Sequence, residues 1–113
     1  MKKWWAALAA LALSATAAWA DWQTVAEVSA TEKTEARELA VNRTIRTVQL
    51  QCTAGSVIVM TLRVREGWAK TEIRVARQFA KGEKQDVDLS YARNVTGFRI
   101  SDKGPGKYVI RAK

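Results

Sequence analysis

The stretch VQLQCTAGSVIVMTLRV, Val48 to Val64, decides the fold class. Its first part, Val48-Gln49-Leu50-Gln51-Cys52, alternates apolar and polar residues. That is the period of a half-buried strand, because successive side chains point to opposite faces. Thr53-Ala54-Gly55 reads as a turn. Beyond it, Ile58, Met60, Leu62 and Val64 alternate with Val57, Val59, Thr61 and Arg63. Both sets are largely apolar, so this second strand is expected to be central and covered on both sides.

The same reading extends outward. Glu66-Gly67 is a turn, and Trp68 opens a strand with Ile73, Val75 and Phe79 on one face. Lys81-Gly82-Glu83-Lys84-Gln85 is a charged connection. Val87 and Leu89 mark a short strand. Val95, Phe98 and Ile100 mark another, with a parity slip at Gly97 that reads as a bulge. Tyr108, Ile110 and Ala112 mark the last, while Trp22, Val25 and Val28 precede them all. Thr31 to Leu39 is rich in charge and poor in apolar residues. It reads as a polar loop, with room for one helical turn, leading into a short strand at Leu39-Ala40-Val41. The expectation is an all-β antiparallel β-sandwich of jelly-roll or Ig-like type, with seven to eight short strands. No candidate crossover helix is present to support parallel pairing.

Residues 1–20 read as a secretory signal peptide. Met1-Lys2-Lys3 is basic, the run to Ala17 is apolar, and Ala18-Trp19-Ala20 is a small-x-small cleavage site. The run is shorter than the ~20 residues of a spanning helix. Cleavage after Ala20 leaves one domain, residues 21–113, in the periplasm or secreted, with no transmembrane segment. Cys52 is the only cysteine, so no intramolecular disulfide forms. Its alternation with Val48 and Leu50 places it among buried apolar residues.

The chain carries a net charge of +8. Beyond residue 20, acids and bases balance as far as Glu66. From Gly67 onward, bases outnumber acids about two to one. This asymmetry points to an acidic partner or an anionic surface. The closing stretch SDKGPGKYVIRAK, Ser101 to Lys113, holds much of that charge. Its Gly104-Pro105-Gly106-Lys107 segment is not a phosphate-binding loop. Ser101 stands where the first glycine is needed, Tyr108 follows the lysine, and Pro105 has no N–H to donate. It reads as a hairpin turn that Asp102 starts, with both glycines at positive angles. The basic side chains around it, Arg99, Lys103, Lys107, Arg111 and Lys113, form the candidate anion-binding set.

Histidine is absent, which removes Ser-His-Asp and Cys-His catalysis and most zinc sites. Glu83, Asp86 and Asp88 are the candidates for a carboxylate hydrolase or a calcium site. They sit beside lysines, without the spacing of a dedicated calcium loop, and read as solvated or ion-paired. Arg77 shares the apolar parity of Val75 and Phe79, and Arg93 precedes Val95. Each is expected to find a carboxylate partner among Glu83, Asp86 and Asp88, as a structural strut. Trp22 and Trp68 read as core plugs at strand starts. The RNP motif is missing and export argues against nucleic acid. No cofactor is expected.

The segments RTIRTVQLQCTAGSVIVMTLRV, GEKQDVDL and RNVTGFRISDKG resemble a family of small secreted bacterial β-sandwich proteins filed as a domain of unknown function. The likeness rests on hydrophobic spacing and the order of Gly82, Glu83, Asp88, Leu89, Arg93 and Val95. It implies an exported sandwich and no catalytic residues. The function expected is non-catalytic binding of an anionic cell-envelope polymer through the basic C-terminal hairpin. The alternative is a protein–protein accessory or inhibitor of an envelope enzyme.

Overall fold

The computed structural model describes residues 22–113. The signal-peptide reading of residues 1–20 lies outside the described residues. Five strands form one antiparallel sheet, with no helix among the described residues: β1 (Gln23–Ala30), β2 (Glu35–Glu66), β3 (Ala69–Ala80), β4 (Lys84–Lys103) and β5 (Gly106–Ala112). Hydrogen bonds connect β1, β5, β2 and β3 in that order, and β4 pairs with β2.

β2 is 32 residues long and folds back on itself. Glu35–Ala40 pairs with one side of β4, over Asp102 to Gly97. Ile58–Arg65 pairs with the other side of the same β4 stretch. Between these arms, Val48–Gly55 pairs with β5, and from Ser56 onward β2 pairs with β3. Thr53-Ala54-Gly55 is therefore a bend within a continuous strand, not a turn ending one. Gly55 makes the bend with φ of 64°, and a Cβ there would lie 2.8 Å from the Pro105 carbonyl oxygen.

Five long strands replace the seven to eight short ones expected because the chain changes direction through bulges. Pairing shifts between Val59 and Thr61, so inward parity passes from Val57 and Val59 to Leu62 and Val64. The doubly apolar run thus reflects a switch of face rather than cover on both sides. The parity slip between Val95 and Phe98 is matched on β2, where pairing shifts between Ala40 and Arg43 and Asn42 has φ of 53°. Gly97 itself lies against the Leu39 carbonyl.

The stretch Glu35–Leu39, expected as loop, is strand. Its partners lie more than 50 residues away in β4, and Arg37 and Glu38 pair across strands with Asp102 and Arg99 rather than along a helix. Alternate residues of all five strands meet in one buried cluster that includes Ile45, Leu50, Leu62, Phe79, Phe98 and Ile110. Each such side chain contributes about 1.5–3 kcal/mol. Cys52 belongs to this cluster and is a free thiol. Trp68 does not. Glu66 pairs with Ala69, so Gly67-Trp68 is a two-residue turn and the indole stands fully exposed at its apex.

Candidate functional site

The turn at the C-terminal hairpin is Gly104-Pro105, between the end of β4 and the start of β5. Its glycines are needed for close approach, not for positive angles. A Cβ on Gly104 would lie 2.7 Å from the Ala30 carbonyl oxygen, and one on Gly106 2.6 Å from that of Ser56. The positive-φ glycines among the described residues are Gly55, Gly67 and Gly82.

The five candidate bases fall on two separate faces. Arg99 and Lys103 have the outward parity of β4, since Ile100 and Asp102 are buried. There, Glu38, Arg99, Arg63 and Glu72 stand in one row across four strand segments. Arg99 donates to Glu38 at 2.7 Å, Arg65 reaches Glu38 at 3.0 Å and Arg63 reaches Glu72 at 2.9 Å. The hydrogen bond from Arg99, with the nearby arginines, holds the Glu38 carboxyl below its ordinary value. This row neutralises itself, and Arg99 is not a free anion-binding group.

Lys107 and Arg111 on β5, and Lys113 just past its end, alternate with buried Tyr108, Ile110 and Ala112. Register places Arg111 opposite Gln49 of β2, and Gln49 opposite Asp86 of β4. Arg111 donates to the Gln51 amide oxygen at 2.7 Å and to that of Gln49 at 3.4 Å. Gln49 in turn donates to Asp86 at 2.9 Å. Among the described residues, Lys84, Lys107, Arg111 and Lys113 enter no ion pair. Trp22, Gln49, Gln51, Lys84 and Arg111 line an open recess of about 450 Å³. Trp22 is half-buried at its rim, with the Lys113 ammonium 4.7 Å from the ring centre. Trp22 is therefore a surface aromatic beside cations, and not a core plug.

The expected struts are built differently. Arg77 lies 4.5 Å over the Phe79 ring and donates to Gln85 at 3.1 Å. Arg93 donates to the Leu89 carbonyl and to Thr71, and pairs with Glu66 at 3.3 Å. Glu83 instead accepts from the Ala80 amide, Asp86 from Gln49 and Asp88 from the Ser90 amide. Proximity in sequence misled here, because Arg93 meets the β2–β3 hairpin across the sheet. Arg77→Met should cost about 1–2 kcal/mol, since a cation–π contact and one hydrogen bond to an uncharged acceptor are lost. Thermal melting checks this, and a loss above about 2 kcal/mol would require a charged partner.

The buried polar centre lies elsewhere. Asp102, expected to start a turn, is fully buried. Arg37 grips it with two hydrogen bonds, 2.8 Å from Nε and 3.2 Å from Nη2, and the Tyr108 hydroxyl donates to it as well. Arg37 also donates to the Ser29 carbonyl at 3.0 Å and to Glu35 at 3.1 Å. Burial pushes the Tyr108 hydroxyl far above its ordinary value, and the Asp102 carboxylate beside it adds to the shift. The hydrogen bond to Asp102 raises Arg37 too. The sequence signal for this centre was slight: Asp102 shares parity with Phe98 and Ile100, and Arg37 with Leu39.

No family model matches the chain, and no curated protein matches it. The resemblance to secreted β-sandwich proteins gains no support from these comparisons.

Proposed function

We propose that this is an exported, non-catalytic β-sandwich module that binds an anionic polysaccharide of the cell envelope in the Trp22–Arg111 recess. Of the basic-hairpin set, Arg111 and Lys113 stay, Arg99, Lys103 and Lys107 leave, and Trp22, Lys84, Gln49 and Gln51 join. One observation carries it. Arg111 is held against the sheet by two amide oxygens rather than by a carboxylate, in a recess that also presents an indole and a lysine.

The chemistry follows from those groups. A guanidinium fixed by neutral acceptors keeps its full charge and its remaining N–H groups for a ligand oxygen. Lys84 supplies a second cation, and the Trp22 ring gives a flat apolar surface for a sugar ring. Glu27 and Asp86 share this outward face. They limit its net charge, so recognition depends on the recess more than on bulk attraction.

The alternative is a protein accessory that receives a strand along the edge of β3, which among the described residues pairs only with β2. That edge carries Lys70, Glu72 and Arg74, charges of the kind that discourage strand addition. The polysaccharide reading is therefore preferred.

Chromatography on immobilised heparin in a salt gradient tests it. Wild type should be retained at physiological salt. Arg111→Gln and Trp22→Ala should each elute earlier, and Arg99→Gln should elute with wild type. Equal retention of wild type and Arg111→Gln would overturn the proposed site.

A further inference from the structure

We propose that the β2–β3 hairpin tip is a second, independent binding surface, through which the protein docks onto an anionic phospholipid bilayer. The large hydrophobic residues exposed among the described residues are Trp68, at 100 %, and Tyr91, at 56 %. Both stand at one end of the fold, joined through Arg93. Its guanidinium lies 4.5 Å over the Tyr91 ring and reaches Glu66, two residues before Trp68, at 3.3 Å.

The tip is held firmly. The Gly67 amide donates to the Thr96 hydroxyl at 3.2 Å, and that hydroxyl donates to the Arg65 carbonyl at 3.2 Å. The indole is thus presented on a braced convex turn. A convex indole is buried only by a partner that yields around it or is shaped to receive it.

Charge selects the partner. The carboxylates around the tip are engaged: Glu66 with Arg93, Glu72 with Arg63, and Glu38 with Arg65 and Arg99. Lys70, opposite Arg65 across the hairpin, is exposed and in no ion pair among the described residues. A braced indole beside an unpaired lysine, with every carboxylate of the hairpin held by an arginine, matches a bilayer interface. Tryptophan settles at headgroup depth, and basic side chains are drawn to anionic lipid.

The test uses the chain from Asp21, which carries every residue of the core. Trp22→Phe leaves Trp68 as its sole indole, and Arg111→Gln in the same chain removes the guanidinium of the polysaccharide recess, so the two proposals fail separately. Vesicles of phosphatidylethanolamine with phosphatidylglycerol should shift Trp68 emission to the blue, and vesicles of phosphatidylcholine should shift it far less. Lys70→Glu should lower the partition coefficient about tenfold, and added salt should lower it further. Trp68→Ala, assayed by vesicle sedimentation, should lose binding to the same degree while melting as wild type. No emission shift on anionic vesicles would overturn the proposal and leave the tip as a protein-docking site. A shift equal on both vesicles and unaltered by Lys70→Glu would also overturn it.

Discussion

Asp102→Ala is expected to destabilise the fold by about 3 kcal/mol, the low end for breaking a buried ion pair. The carboxylate is fully buried and is the common acceptor of Arg37 and Tyr108. Its removal leaves the Tyr108 hydroxyl without this acceptor inside the core and Arg37 without its bidentate partner. The low end applies because the Arg37 side chain is 26 % exposed and recovers some hydration. In a domain of this size the loss corresponds to a fall in Tm of roughly 12–24 °C. Asp102→Asn should cost less, since its amide oxygen still accepts from Arg37. Thermal melts of both variants check the order, and an alanine variant that melts with wild type would show the centre to be dispensable.

The same centre fixes a pH dependence. Burial raises the folded-state value of Tyr108 above that of the unfolded chain, about 10. The neutral hydroxyl is therefore favoured by folding. Its contribution is complete below about pH 10 and declines as pH rises toward the folded value. Lysines titrate in the same range, so the difference between wild type and Tyr108→Phe isolates the effect. Tyr108→Phe should lose about 1 kcal/mol at neutral pH and show a shallower decline in stability above pH 10. Parallel alkaline unfolding curves for the two proteins would contradict this assignment.

Gly106→Ala should have an effect of comparable size, about 3 kcal/mol, the upper part of the usual range for overpacking. The added Cβ would stand 2.6 Å from the Ser56 carbonyl oxygen and 2.8 Å from that of Ala54. Those atoms are backbone, on the segment where β2 bends from β5 toward β3. They cannot rotate aside as a side chain would. Relief requires the bend to open, which would pull Gly55 and Ser56 from their positions beside Pro105 and Gly106. Urea unfolding would measure the loss. A variant within about 0.5 kcal/mol of wild type, the range of a surface substitution, would mean that the bend yields freely.

Much of the fold was legible in sequence because strand alternation is local. Val48, Leu50 and Cys52 were placed on a buried face, and Tyr108, Ile110 and Ala112 on another, from period alone. Turn chemistry marked Gly104-Pro105, and marked the β2–β3 turn one residue early, at Glu66-Gly67 where the chain turns at Gly67-Trp68. The bends were misread where a local break resembles a strand end. Thr53-Ala54-Gly55 has turn composition, yet β5 pairs with β2 as far as Gly55 and β3 takes over from Ser56, so the strand runs through it. The polar run Glu35–Leu39 is strand for the same reason.

The candidate sites were less legible, because each depends on which strands become neighbours. Arg99 and Arg111 look equivalent along the chain. Register sets one beside Glu38 and the other beside Gln49, and only the second is left without a carboxylate partner. Trp68 has the composition of a core residue, but the two-residue turn gives it no face to point into. By itself, then, the sequence determined the all-β class, the inward positions of most strands and the excess of positive charge. Those follow from periodicity and composition, which each residue carries with it. The tertiary structure decided the pairing of β4 between the two arms of β2, the burial of Asp102 and the division of the bases into neutralised and free. Those follow from contacts between residues distant along the chain, and no local pattern encodes such contacts.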